Sequence, residues 1–199
     1  MESNTVDKYF KQKNWTAFEI ICLVIAGMSA IVAIFVWGGG PIGLPLVVVS
    51  VFALVIYRSI KIKDEDIDDL INKIVTDNIN LADEKNVMKA FDFRDGSVKK
   101  GKDGKLRGTS YVISVFAFGF KVTEITTYRL NLITADIEKN FYSIPKEDNF
   151  SLIEDFIEIS GAKKTVQYIE NKETALIIPV ITNDVESFRI VEKLCEKRG

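Results

Sequence analysis

Two uncharged apolar runs stand almost back to back near the start of this chain, at residues 20–37 and 42–57. Only Gly38-Gly39-Gly40-Pro41 separates them. Consecutive glycines accept positive φ, and the prolines at 41 and 45 suit the first turn of a new helix. So short a link makes the two helices antiparallel neighbours. A helix over about 16–37 is long enough to cross a hydrocarbon core, and the shorter second run makes up the length if its helix continues through Ser59 and Ile62, over about 42–62. The runs are flanked by Trp15, Trp37 and Tyr57, as an aromatic belt is. Lys8, Lys11 and Lys13 precede the first helix, Arg58, Lys61 and Lys63 follow the second, and the turn is uncharged. This pattern predicts a transmembrane helical hairpin over residues 1–63, in a multi-pass protein of the cell membrane with both termini cytoplasmic. The lipid bilayer is then an integral partner. Glu19 lies one turn past Trp15, where a carboxylate still reaches water. Gly27, Ser29 and Ala30 form a small-residue patch suited to packing on the second helix.

Residues 64–199 are enough for one small domain. They carry 20 Lys/Arg against 25 Asp/Glu, and this acidic balance argues against nucleic-acid binding, which depends on phosphate neutralisation. The chain has no histidine. That excludes Ser-His-Asp and Cys-His catalysis and His-ligated metals. Its two cysteines, Cys22 and Cys195, fall in separate parts of the chain and support neither a disulfide framework nor a thiolate metal site. No catalytic residue, metal or cofactor is expected.

Asp64-Glu65-Asp66 places acids where a helix dipole favours them. Ile67, Leu70, Ile71, Ile74 and Val75 then share one helical face. An amphipathic juxtamembrane helix is expected within 64–86, packed on the domain that follows at 87–199. A strand enters at Val87 or Met88. Residues 95–108 are basic and glycine-rich, but match neither a P-loop nor a dinucleotide fingerprint. They read as an exposed hairpin loop, and Lys99, Lys100, Lys102, Lys105 and Arg107 are its possible contacts to anionic lipid.

From Tyr111 to Phe118 both alternating sets are largely apolar, which predicts a strand covered on both faces. β-branched and aromatic residues continue through 120–134, with a break at Thr126-Thr127 and a turn at Lys139-Asn140. Residues 153–159 fit a helical turn or an irregular strand. Two further strands flank a turn at Glu170-Asn171-Lys172-Glu173. Asn183 then caps a last helix whose apolar face holds Val185, Phe188, Val191, Leu194 and Cys195. A curled antiparallel sheet closed by a terminal helix is the plan of a pleckstrin-homology-like (PH-like) barrel. The predicted class is therefore α+β: a transmembrane hairpin, then a PH-like antiparallel β-barrel or sheet with a C-terminal helix.

Three segments carry a family resemblance: Ser151-Leu152-Ile153-Glu154-Asp155-Phe156, Val166-Gln167-Tyr168-Ile169 and Ala175-Leu176-Ile177-Ile178-Pro179, with Phe188 beyond them. On these the chain resembles the bacterial YcxB-like membrane proteins, which join a transmembrane hairpin to a PH-like domain. The resemblance implies no established activity and supplies no catalytic residues. The function expected is a membrane-anchored cytoplasmic interaction module that binds a protein or lipid headgroups. The alternatives are a small subunit of a membrane transport complex and a membrane immunity protein. Paired acids such as Asp92 with Asp95, or Glu154 with Asp155 and Glu158, read as solvated surface and not as catalytic groups.

Overall fold

A computed structural model describes residues 2–12, 17–35, 43–81, 84–159, 161–181 and 184–195. The chain is α+β. Four helices come first: α1 (Glu2–Lys11), α2 (Ala17–Phe35), α3 (Gly43–Ile60) and α4 (Asp64–Asn78). Nine strands follow: β1 (Val87–Asp92), β2 (Val98–Lys100), β3 (Leu106–Gly108), β4 (Ser110–Phe118), β5 (Val122–Asn131), β6 (Asp136–Pro145), β7 (Phe150–Ile159), β8 (Ala162–Asn171) and β9 (Leu176–Val180). Helix α5 (Val185–Cys195) comes last.

Helices α2 and α3 lie side by side. The rings of Phe18 and Tyr57 meet at 5.0 Å, and Lys61 Nζ reaches Glu19 Oε2 at 2.6 Å, so the start of one helix adjoins the end of the other. The transmembrane assignment is corrected. Among the described residues, no helix is long and apolar enough to cross a membrane. Helix α2 has 19 residues and includes Glu19, while α3 has 18 and includes Arg58. Among the described residues, the uncharged parts of α2 and α3 are 20–35 and 43–57, which rise about 24 and 22 Å at about 1.5 Å per residue, against a hydrocarbon core of about 30 Å. The multi-pass membrane localisation falls with the hairpin. The glycine turn, Trp15, Trp37, Lys13 and the Asn183 cap lie outside the described residues, as do the side chains of Ser29 and Ala30. Glu19, read as an acid that reaches water, is instead buried against Lys61.

The strands form a four-stranded sheet in the order β1-β4-β5-β6, a separate β2-β3 hairpin and a three-stranded sheet β7-β8-β9. All pairs are antiparallel. Among the described residues no ladder joins the sheets into a closed barrel. The two larger sheets pack face to face. Met88, Phe116, Ile125 and Ile144 from the first meet Ile169, Leu176 and Ile178 from the second, and Ile190 of α5 completes this core. Because side chains alternate along a strand, the other face of the larger sheet needs its own cover. Ile113 and Leu130 point that way, and Val6 and Tyr9 of α1 pack there with Ile67, Ile71, Ile74 and Val75 of α4. Strand β4 is thus covered on both faces, as its unbroken apolar character predicts.

Several local expectations change. Strand β5 runs through Thr126-Thr127 without a break, and Lys139-Asn140 lies inside β6. Residues 153–159 are strand, within β7. The last turn falls at 172–175, two residues later than expected.

Candidate functional site

A cleft of about 690 Å³ opens where α1, the end of α3, the start of α4 and the β2-β3 hairpin meet. Its wall is built around a few committed charges. Helix α4 begins with three acids, and Asp66 Oδ2 accepts from the Lys63 backbone N–H at 2.7 Å, which secures the first turn. That start aims Asp64 and Asp68 at the hairpin. Asp64 Oδ1 accepts from the Tyr9 hydroxyl at 2.8 Å, and Oδ2 accepts from the Lys102 and Asp103 backbone N–H groups at 2.6 and 3.4 Å. Burial, and after it the bond to Asp64, pushes the Tyr9 hydroxyl pKa well above its ordinary value.

Arg107 is the centre of this wall. It comes from β3, is 2% exposed, and binds two carboxylates. Nε and Nη2 donate to Asp68 at 2.9 and 2.6 Å, a two-pronged match of planar groups. Nη1 and Nη2 donate to Asp103 at 3.0 Å each. The bond from Arg107 also holds the Asp103 carboxyl below the usual carboxylate range. Gly101 makes this closeness possible. A Cβ there would lie 2.5 Å from Asp103 Oδ1, 2.6 Å from Arg107 Nη1 and 2.7 Å from Asp64 Oδ2.

Lys99 is equally committed. Its Nζ donates to the carbonyls of Tyr9 and Gln12 at 2.7 and 2.9 Å and sits 4.2 Å from the Tyr9 ring centre. Burial lowers its pKa. Gln12 in turn exchanges hydrogen bonds with the backbone of Ile62, at 2.5 and 3.3 Å. The N-terminal helix is therefore fastened to the hairpin and to the α3–α4 junction.

The five basic residues expected to act together divide. Arg107 and Lys99 are structural, tied to acids and carbonyls. Lys100 is exposed but does not line the cleft. Lys102 and Lys105 do line it, and among the described residues their ammonium groups have neither an ion pair nor a hydrogen bond. Lys63 joins them on the opposite wall in the same condition. The sequence ranked Lys63 only as a flanking base. Its place across from the hairpin depends on the docking of α4, which local patterning does not encode.

The cleft therefore holds more unspent cations than unspent acids: of its lining carboxylates, only Glu65 has no partner among the described residues. Asp64, Asp68 and Asp103 are saturated from within the fold, whereas Lys63, Lys102 and Lys105 point positive charge at open space. Such a surface attracts an anion and holds it by hydrogen bonds from ammonium groups. No family model, curated protein or solved structure matches this chain. Nothing in these comparisons identifies a YcxB-like family.

Proposed function

We propose that this chain is an interaction module whose cleft receives an acidic segment of a protein partner. One observation carries this: three unpaired lysines face a cleft in which Asp64, Asp68 and Asp103 are already occupied, so that among the described residues Glu65 is the one lining acid left without a partner. Positive charge is local here, because residues 64–199 are acidic as a whole. A local basic concavity in an acidic domain steers acidic partners to one place and repels them elsewhere. The wall behind them is already cross-tied by hydrogen bonds, so the ordering cost of binding falls on the three lysine side chains and not on the backbone. The module is proposed for binding and not for a reaction, and no membrane anchoring is part of it.

A fluorescent oligo-glutamate peptide titrated onto the full chain tests this. The variant Lys63→Gln/Lys102→Gln/Lys105→Gln should bind at least about tenfold more weakly, the loss of about 1.4 kcal/mol. Lys100→Gln, outside the cleft, should bind as the parent does. Equal binding by the triple variant would refute the assignment. So would sedimentation with anionic vesicles in place of peptide binding.

A further inference from the structure

A second charged site sits between the two larger sheets, away from the cleft. Along β1 the side chains of Met88, Ala90 and Asp92 face the sandwich core, since alternate residues share a face. Met88 lies by α5, whose Ile190 packs in the same core. Asp92 lies about 13 Å further along, at about 3.3 Å per residue. There the apolar core gives way to two arginines. Asp92 is fully buried and accepts from Arg94 Nε at 3.1 Å, Arg94 Nη2 at 2.9 Å and Arg129 Nη1 at 2.9 Å. The Arg94 guanidinium also lies 4.8 Å from the ring centre of Tyr168, which belongs to the opposite sheet.

One carboxylate thus serves two guanidinium groups. Asp95 lies 3.7 Å from Arg129 Nη1 but is 79% exposed, so water screens it strongly, and Glu138, opposite Arg129 in the β5–β6 register, accepts from Asn140 Nδ2 at 2.9 Å. Arg94 keeps Nη1, and Arg129 keeps Nε and Nη2, with no hydrogen-bond partner among the described residues. Both arginines line a cavity of about 240 Å³, with Thr127, Asn140 and Tyr142 beside them and the β8–β9 turn at its edge. That turn contains Ala175 at φ 53°, a left-handed conformation that costs a non-glycine residue about 1–2 kcal/mol.

We propose that this cavity is a binding site for one small oxyanionic group, a phosphate or a carboxylate, held by Arg94 and Arg129. Its volume lies below the range of about 300–1,000 Å³ typical of whole small-molecule pockets, so it admits a single charged group and not a large ligand. The planar, fixed forks of two arginines suit an oxyanion, where lysines would supply only point charges. Asp92 does not compete for the ligand. It is the buried anchor that fixes both forks while their outer N–H groups remain available.

Calorimetric titration of the full chain tests the site, with inorganic phosphate and acetate as probes in buffer of matched chloride and ionic strength. The background is Lys63→Gln/Lys102→Gln/Lys105→Gln, so that the cleft contributes nothing. At least one probe should bind, and Arg129→Gln should weaken it at least tenfold. Asn140→Glu, which sets a carboxylate at the cavity wall without touching the Asp92 bonds, should weaken it similarly. Arg129→Lys should restore part of the binding. Phosphate alone would mark a phosphate monoester site, and acetate alone a carboxylate site. No binding of either probe overturns the proposal, as does unchanged affinity in a folded Asn140→Glu variant.

Discussion

Asp92 shows how a single buried charge organises its surroundings. Burial alone would raise its pKa, but the hydrogen bonds from Arg94 and the charges of Arg94 and Arg129 outweigh it and hold the carboxyl below its ordinary value. A depressed folded-state pKa means that the unfolded chain takes up the proton first. Asp92 therefore stabilises the fold above the unfolded carboxyl pKa of about 3.9, and this contribution is lost as pH falls through the lower, folded value. Asp92→Asn should cost about 3 kcal/mol at pH 7, because two guanidinium groups lose their shared partner. The cost should shrink as pH falls below about 4. Urea midpoints at pH 7 and pH 3 check this, and a cost independent of pH would contradict it. None of this was visible in the sequence, where Asp92 paired with Asp95 reads as solvated surface. Its burial follows from the sheet-on-sheet packing, and its partner Arg129 is 37 residues away.

At the scale of elements, the face of α4 was legible but that of α5 was not: Val185 and Phe188, expected on its apolar face, are 73% and 61% exposed, and Ser187 and Ile190 are buried instead. The spacing of Ile67, Ile71, Ile74 and Val75 marks the buried face of α4. Strand β4 likewise declares its two covered faces. Turns were less legible because their chemistry is carried by asparagine and not by glycine. Asn131 begins one turn and Asn171 another, and each is followed four residues later by an alanine in the left-handed region. Asn131 Oδ1 accepts from the backbone N–H groups of Ile133 and Thr134 at 3.0 and 3.3 Å. Asn171 Oδ1 accepts from the Thr174 N–H and hydroxyl at 3.0 and 2.8 Å. The shared pattern is Asn, two residues, Thr, Ala. Ala135 has φ 61° and Ala175 has φ 53°, so both pay a Cβ penalty that glycine avoids. Ala135→Gly should leave thermal stability unchanged or raise it by up to about 1 kcal/mol, even though glycine in ordinary backbone costs as much. Ala117→Gly, inside β4, should lower stability by about 1 kcal/mol in the same melting experiment.

Across the whole molecule, the N-terminal segment is part of the domain and not only a lead-in to two apolar helices. Val6 and Tyr9 are fully buried in the core that α4 and the larger sheet share. Lys99 and Gln12 fasten the same segment from the other side. This docking creates the cleft. It also explains why the basic stretch 95–108, legible as charge, was misread as a uniform exposed loop. Charge composition locates cations, but only the arrival of α1 and α4 decides which are consumed. Helices α2 and α3 keep an exposed apolar surface that includes Ile20, Met28, Val49 and Phe52.

Zero-length carbodiimide coupling of the bound oligo-glutamate peptide to the full chain reads the cleft residue by residue. Coupling joins a peptide carboxylate only to an amine in contact with it, and peptide mapping then names the lysine. The bonds should form at Lys63, Lys102 and Lys105 and be suppressed by salt, since exposed pairs are screened over about 10 Å at 0.1 M. Lys99, with its ammonium held by two carbonyls, should stay uncoupled. Coupling spread evenly over the surface lysines, or concentrated at Lys163, Lys164 or Lys193, would contradict the cleft as the site of recognition.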